Sequence, residues 1–158
     1  MMEYLEGVKK AKTLEIGELL VQAEGTEVKV NGAVHTIRDM GNVAFVILRK
    51  RDGLVQCVFE EGVTAFDLKE LKEASAVEVL GTIRKEERAA HGIEIRLKEI
   101  KVLSEPDEPL PLPISKWKLN TSLEAKLNMR PISLRNVRER AKFKIQEGIV
   151  KGFRDFLY

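Results

Sequence analysis

Phe45 and Gln56 are the side chains in this sequence whose types and separation best suit a recognition chemistry. They bound the run Phe45-Val46-Ile47-Leu48-Arg49-Lys50-Arg51-Asp52-Gly53-Leu54-Val55-Gln56, which reads as two short strands joined by a tight Asp-Gly turn. Phe45, near the start of the first strand, offers the face of an exposed ring. Gln56, on the second, offers a carboxamide. The pair suits reading one nucleobase, the ring stacking on its face and the amide hydrogen-bonding its edge. Phe and Gln are common in strands, so the surrounding elements decide the case.

The charge balance narrows the partners. With 27 basic and 25 acidic side chains and a net charge of +2, the chain is no bulk polycation. Local basic patches are its only electrostatic route to nucleic acid. The single cysteine, Cys57, excludes an intramolecular disulfide. A lone thiol without a signal-peptide pattern leads to the expectation of a reducing, cytoplasmic setting. His35, His91 and Cys57 stand at unrelated spacings and form no zinc set, so no metal site is expected. No apolar run approaches the ~20 residues of a membrane span.

The elements that must position Phe45 and Gln56 follow from periodicity. Tyr4, Leu5, Val8, Leu14, Leu19 and Leu20 recur at helical spacing and predict an N-terminal helical extension over 1–25, broken near Gly17. Strands are predicted from Val28 to Asp39, Val43 to Arg49, Leu54 to Phe59, Ser75 to Ile83 and Ile93 to Val102. Thr64 to Ala74 has helical character. Five strands with a helix between the third and fourth is the order of an OB-fold, an all-β Greek-key barrel that binds oligonucleotides across one face. Residues 26–103 form this domain. Four of the five prolines crowd into Pro106–Pro113, which predicts an extended linker over 104–118. An amphipathic helix is expected from Val137 onward, with Ile145, Ile149, Phe153 and Phe156 on one face. Lys50-Arg51 reads as solvated hairpin charge, and Trp117 as a packing anchor.

Taken together, these segments resemble the N-terminal part of class II aspartyl- and asparaginyl-tRNA synthetases, the archaeal-like aspartyl type above all. Carrying the resemblance are Val28-Lys29-Val30-Asn31-Gly32-Ala33-Val34-His35, Arg38-Asp39-Met40-Gly41, the Phe45 to Gln56 run and Val79-Leu80-Gly81-Thr82-Ile83-Arg84. Glu94, Leu127-Asn128-Met129-Arg130 and Ala141-Lys142-Phe143 extend it to the end of the chain. The resemblance implies an anticodon-binding barrel. By position, Phe45 matches the aromatic that stacks on the central anticodon uracil and Gln56 the amide that reads nearby bases. Arg84 and Glu94 match two further anticodon contacts, Glu94 at the guanine-type first base, and Arg38 sits where a basic side chain meets the loop backbone. Residues 119–158 resemble the opening of the catalytic domain.

The resemblance also implies a parent that joins aspartate to tRNA, of the Asp type or of both Asp and Asn types, using ATP and Mg2+ as a homodimer. The 158-residue chain itself is expected to be inactive, because the catalytic motifs lie downstream. An asparagine-specific ligase and a free-standing OB module for single-stranded nucleic acid are the alternatives. The residues alone also leave bland roles open: Phe45 as core, Gln56 as a solvated strand residue, and Arg84 paired with Glu94.

Overall fold

Alternating side chains between residues 27 and 104 build five strands that close on one another. The computed structural model describes residues 14–158. Strands β1 (Glu27–Asp39), β2 (Val43–Arg49), β3 (Leu54–Glu60), β4 (Ala76–Lys85) and β5 (Ile93–Ser104) form a barrel in the order β1-β2-β3-β5-β4. Every neighbouring pair is antiparallel except β3 and β5, which run parallel over Gln56↔Glu94, Cys57↔Ile95 and Val58↔Arg96. This is the five-stranded OB-fold arrangement.

The period-two pattern separates inside from outside. On β2, Ala44, Val46 and Leu48 are fully buried, while Phe45, Ile47 and Arg49 point outward. Val30, Val55, Cys57, Val79, Ile95 and Leu97 fill the same core from the other strands. Burial, and secondarily the charge of Glu94, push the Cys57 thiol far up, so it serves as a neutral core side chain. Strands β4 and β5 approach most closely at Gly81. A Cβ there would sit 2.3 Å from the Arg96 carbonyl oxygen and 2.7 Å from Ile95 Cγ2.

The structure revises five local expectations. The helix predicted over 64–74 is reduced to one 3-10 turn, Leu68–Glu70. Ala65 instead donates to the Lys98 carbonyl at 2.7 Å, and Ala74 to that of Val34 at 2.8 Å. Both ends of the segment are thereby held on strands. The hairpin turn is also shifted. Lys50 N–H donates to the Gly53 carbonyl at 2.8 Å, which leaves Arg51 and Asp52 as its central residues. Neither has the positive φ of the Asp-Gly turn expected there.

Instead, Asp52 and Gly53 seat the helix α1 (Ile16–Leu20). The Asp52 carboxylate accepts from Ile16 N–H at 2.8 Å. At Gly53, a Cβ would press to 3.0 Å from Ile16 Cδ1. Gly17 lies within α1 rather than breaking it, and the rest of the expected extension, up to residue 13, falls outside the described residues. Lys50 is not solvated: it is only 7% exposed, and its Nζ donates to the Asn31 carbonyl at 2.9 Å.

Residues 105–122 carry no regular structure and lead to α2 (Leu123–Asn128), α3 (Arg130–Ser133) and α4 (Val137–Leu157). Pro131 stands in the first turn of α3, where a missing N–H costs no hydrogen bond. Asn136 caps α4 by accepting from Arg138 and Glu139 N–H, both at 3.1 Å. Its own amide donates to the carbonyls of Ile114 and Lys116 at 2.9 and 2.7 Å, which ties the helix to the connector. Trp117 is no packing anchor. It is 74% exposed, with the Arg138 guanidinium 5.8 Å from its ring centre. Among the described residues, no helix is long and apolar enough to cross a membrane.

His35 lies at the β1 bulge between Val34 and Thr36, buried beside Leu54, Ile114 and Asn136. Burial first, and the nearby Arg49 charge second, lower its pKa below 6.5, against a smaller opposing pull from Glu73. As pH falls through about 6.5, the unfolded chain takes up a proton that folded His35 refuses, so stability declines. Chemical denaturation at about pH 7.5 and about pH 5.5 checks this. The wild type loses stability by at most ~1.4 kcal/mol per pH unit from this group, and His35→Gln removes that loss. An equal decline in the variant contradicts the assignment. For Gly81→Ala, the close approach of β4 and β5 predicts a loss of roughly 1–3 kcal/mol in the same assay.

Candidate nucleic-acid interface

Barrel closure places the sequence-derived candidates on one outer face. Strand register aligns Thr36, Ile47, Gln56, Glu94 and Arg84 as one row across β1, β2, β3, β5 and β4. Arg38, Phe45, Val58, Arg96 and Thr82 form the row beside it. All five candidate residues, Phe45, Gln56, Arg84, Glu94 and Arg38, therefore share the face, although they come from five different strands.

Phe45 is half-buried and points away from the core, so it is not a barrel-interior residue. Arg38 and Val58 are its cross-strand neighbours. The flanking Val58 supports the ring, and a stacked base would extend that apolar surface. Arg38 is exposed, and the adjacent Asp39 turns to Gly41, accepting its N–H at 2.8 Å. That leaves the Arg38 guanidinium facing outward beside Phe45. Arg96, by contrast, is engaged: its Nε and Nη2 grip the Glu60 carboxylate at 2.7–3.0 Å.

Glu94 is the centre of the first row. It is 4% exposed, a strongly desolvated position for a carboxylate. Gln56 Nε2 donates to its Oε2 at 3.1 Å, and Arg84 Nη1 lies 3.7 Å from its Oε1. The bland pairing of Arg84 with Glu94 is thus real, and it leaves capacity to spare. A carboxylate has about four acceptor sites, and an Arg side chain has five donors. One hydrogen bond and one looser ion pair leave acceptor capacity on the Glu94 carboxylate. Gln56 keeps its carbonyl and one N–H, and half of the Arg84 side chain is exposed. The network holds the three groups in position without exhausting them.

Beside Gln56 lies an open cavity of about 270 Å3, lined by Thr36, Arg38, Ile47, Ala90 and Arg88. Arg88 is a residue the sequence reading missed. It sits in the β4–β5 loop within the run Lys85-Glu86-Glu87-Arg88, which carries no signal beyond mixed charge. Its loop is fixed by Glu86, whose N–H donates to the Gly92 carbonyl at 3.1 Å. The cavity lining thus combines two cations, Arg38 and Arg88, with the Gln56 amide and the apolar Ile47. That combination suits a flat, polar-edged ligand with a nearby negative charge.

A closed five-stranded barrel with such a face defines an OB-fold nucleic acid binding domain. Residues 28–103 match the family model tRNA_anti-codon, described as an OB-fold nucleic acid binding domain.

Across 148 residues the chain is 36% identical to the aspartate–tRNA(Asp/Asn) ligase of Saccharolobus solfataricus, covering 93% of this chain and 34% of the relative. The Deinococcus radiodurans aspartate–tRNA(Asp/Asn) ligase is 38% identical over 138 residues, covering 87% and 30% of the two chains. Among solved structures, the asparaginyl-tRNA synthetase of Pyrococcus horikoshii with asparaginyl-adenylate superposes with a TM-score of 0.77 at 25% identity. That match covers 92% of this chain and 34% of the other. The chain thus spans about a third of the length of these relatives.

Because Glu94 is held by both neighbours, Glu94→Gln tests the row with little change of shape. A carboxamide presents only one acceptor oxygen and adds a competing donor. Calorimetric titration with a guanine-bearing RNA loop and its adenine counterpart is expected to show guanine preference falling by about 1–3 kcal/mol. Retention of the full preference removes Glu94 from base recognition.

Proposed function

We propose that the outer face of the barrel binds the anticodon loop of tRNA, as the recognition domain of an aspartate–tRNA ligase. The observation that carries this reading is the Gln56–Glu94–Arg84 row, aligned across three strands beside the outward ring of Phe45. An unstacked base lying on Phe45 brings its hydrogen-bonding edge toward Gln56 and Glu94. Loops supply such splayed bases, and duplexes do not. Arg38 meets the loop backbone.

The names of the relatives support the finer points. Both sequence relatives are aspartate–tRNA(Asp/Asn) ligases, which favours a parent that charges the Asp-type tRNA and the Asn-type as well. The anticodons of these tRNAs share their first two bases, so Phe45 and Glu94 serve both. In this reading residues 26–103 recognise the tRNA, 104–118 link, and 119–158 open the catalytic domain. ATP, Mg2+, homodimer formation and a cytoplasmic location belong to the proposed parent. The chain's own residues contribute selection of the tRNA and not the ligation chemistry.

The experiment is fluorescence anisotropy with a labelled Asp-type anticodon stem-loop and a scrambled-loop control. The cognate loop binds more tightly than the scrambled one. Phe45→Ala weakens cognate binding by about 1–3 kcal/mol, the range for loss of one stacked base. Its melting temperature stays close to wild type, because the ring contributes nothing to the barrel interior. Equal affinity for the two loops favours a generic single-strand binder and sinks the anticodon reading.

A further inference from the structure

A second cationic site lies where the barrel meets the C-terminal segment, beyond the base-reading rows. A cavity of about 260 Å3 there is lined by Arg49, Lys50, Asp52, Arg135, Arg140 and Lys144, among others. Five basic side chains face one acid, and that acid is already engaged by the N–H of Ile16.

The basic groups differ in how far they are satisfied. Lys50 is spent on the Asn31 carbonyl, with the Glu15 carboxylate 4.0 Å from its Nζ. Lys144 lies 3.7 Å from Glu147 on its own helix, an exposed pair that contributes little. Arg135 Nε donates to the Pro131 carbonyl at 3.2 Å, and Arg140 donates to that of Arg51. Neither interaction supplies a negative charge. Arg49 is the most demanding, because its Nη1 is buried and, among the described residues, has no hydrogen-bond partner. Burial, then the charges of Arg135 and Arg140, lower the proton affinity of the Arg49 guanidinium. A buried, unpartnered guanidinium N–H among like charges is costly unless an anion completes the site.

The position of Arg49 points to the anion's source. It projects from β2 on the same side as Phe45 and Ile47, four residues or roughly 13 Å along the strand from Phe45. A nucleic acid strand whose bases lie on the reading rows spans that distance within a few nucleotides. Several guanidinium groups converging on one pocket match a phosphate in geometry as well as charge.

We propose that the Arg49–Arg135–Arg140 cavity binds a backbone phosphate of the RNA strand leaving the base-reading face. The proposal rests on the anticodon-loop reading for the identity of the strand, and on the unpaired Arg49 for the anion site itself. Such an interaction adds affinity without sequence information and fixes the direction in which the stem leaves the barrel. It would also set the RNA relative to α4, which carries Arg140 and Lys144.

Two measurements on the full chain test it, with the double variant Arg135→Gln/Arg140→Gln leaving Arg49 and the barrel core untouched. The first is thermal unfolding in a few millimolar inorganic phosphate against chloride at equal ionic strength. The wild type is raised in Tm by phosphate over chloride, and the variant is not. The second is the salt dependence of binding to the anticodon stem-loop. The slope of log K against log salt becomes shallower in the variant by about 0.7–0.9 for each phosphate that is no longer neutralised.

In the same titration the cognate and scrambled loops weaken by the same factor. Phe45→Ala, by comparison, leaves the slope unchanged. Equal phosphate responses in the wild type and variant overturn the anion site. A phosphate effect with an unchanged RNA slope overturns the RNA assignment, and indicates a carboxylate or free anion as the occupant. Failure of the anticodon reading appears separately, as equal wild-type affinity for the two loops.

Discussion

The parallel seam between β3 and β5 is the constraint on which the rest of this molecule depends. It comprises three residue pairs, yet it closes the barrel and so removes the last free strand edges. On the inner side, Cys57 and Ile95 complete the apolar core. On the outer side, the same register sets Gln56 against Glu94, and β4 adds Arg84 from the other flank. A one-residue slip would turn Glu94 inward and Ile95 outward. The seam thus couples the stability of the core to the geometry of the polar row. Glu94 must lose most of its hydration there, which Gln56 and Arg84 offset only in part. A better-packed apolar residue would suit the barrel alone. The carboxylate makes physical sense if an external donor completes it.

The outer surface divides along the strands. Toward one end, Phe45, Gln56 and Arg84 are partly exposed around the buried Glu94. Toward the other, Arg49, His35 and Leu54 lie against the connector and the start of α4. Asn136 fixes that boundary, joining the helix N-terminus to two connector carbonyls with a side chain only 2% exposed. The connector lacks regular structure but is not free to swing where Asn136 holds it. In the proposed reading, a rigid barrel and a clamped connector give bound RNA a defined exit path, with the Arg49 cavity on it.

The five strands were legible in the sequence because they rest on period-two alternation, whereas the outward placement of Phe45 was not, since the residues alone left it open as core. In β2 the alternation Ala44, Val46, Leu48 against Phe45, Ile47, Arg49 is unbroken. The alignment of Arg84 with Glu94 required the register of β4 on β5, which local pattern does not determine. Long-range interactions account for the misreadings. Asp52-Gly53 has the composition of a tight turn, yet its residues serve α1, which lies 36 and 37 positions away in the chain at Ile16. Lys50 reads as surface charge because its partner, the Asn31 carbonyl, lies on another strand. The 64–74 segment has helical composition but spends its terminal N–H groups on β1 and β5. Arg88 gave no signal at all, since its place beside Gln56 comes from a loop fold.

The most direct test of the base-reading face is NMR titration of the isotope-labelled chain with the anticodon stem-loop. If the Gln56–Glu94–Arg84 row takes the bases, the Gln56 side-chain amide and the Phe45 ring resonances shift first and furthest as RNA is added. Signals of Lys29 and Glu78, an ion pair on the β1–β4 side of the barrel, stay in place. Large shifts at Lys29 and Glu78 with a silent Gln56 amide would contradict the account, and would move the binding surface to the opposite wall of the barrel.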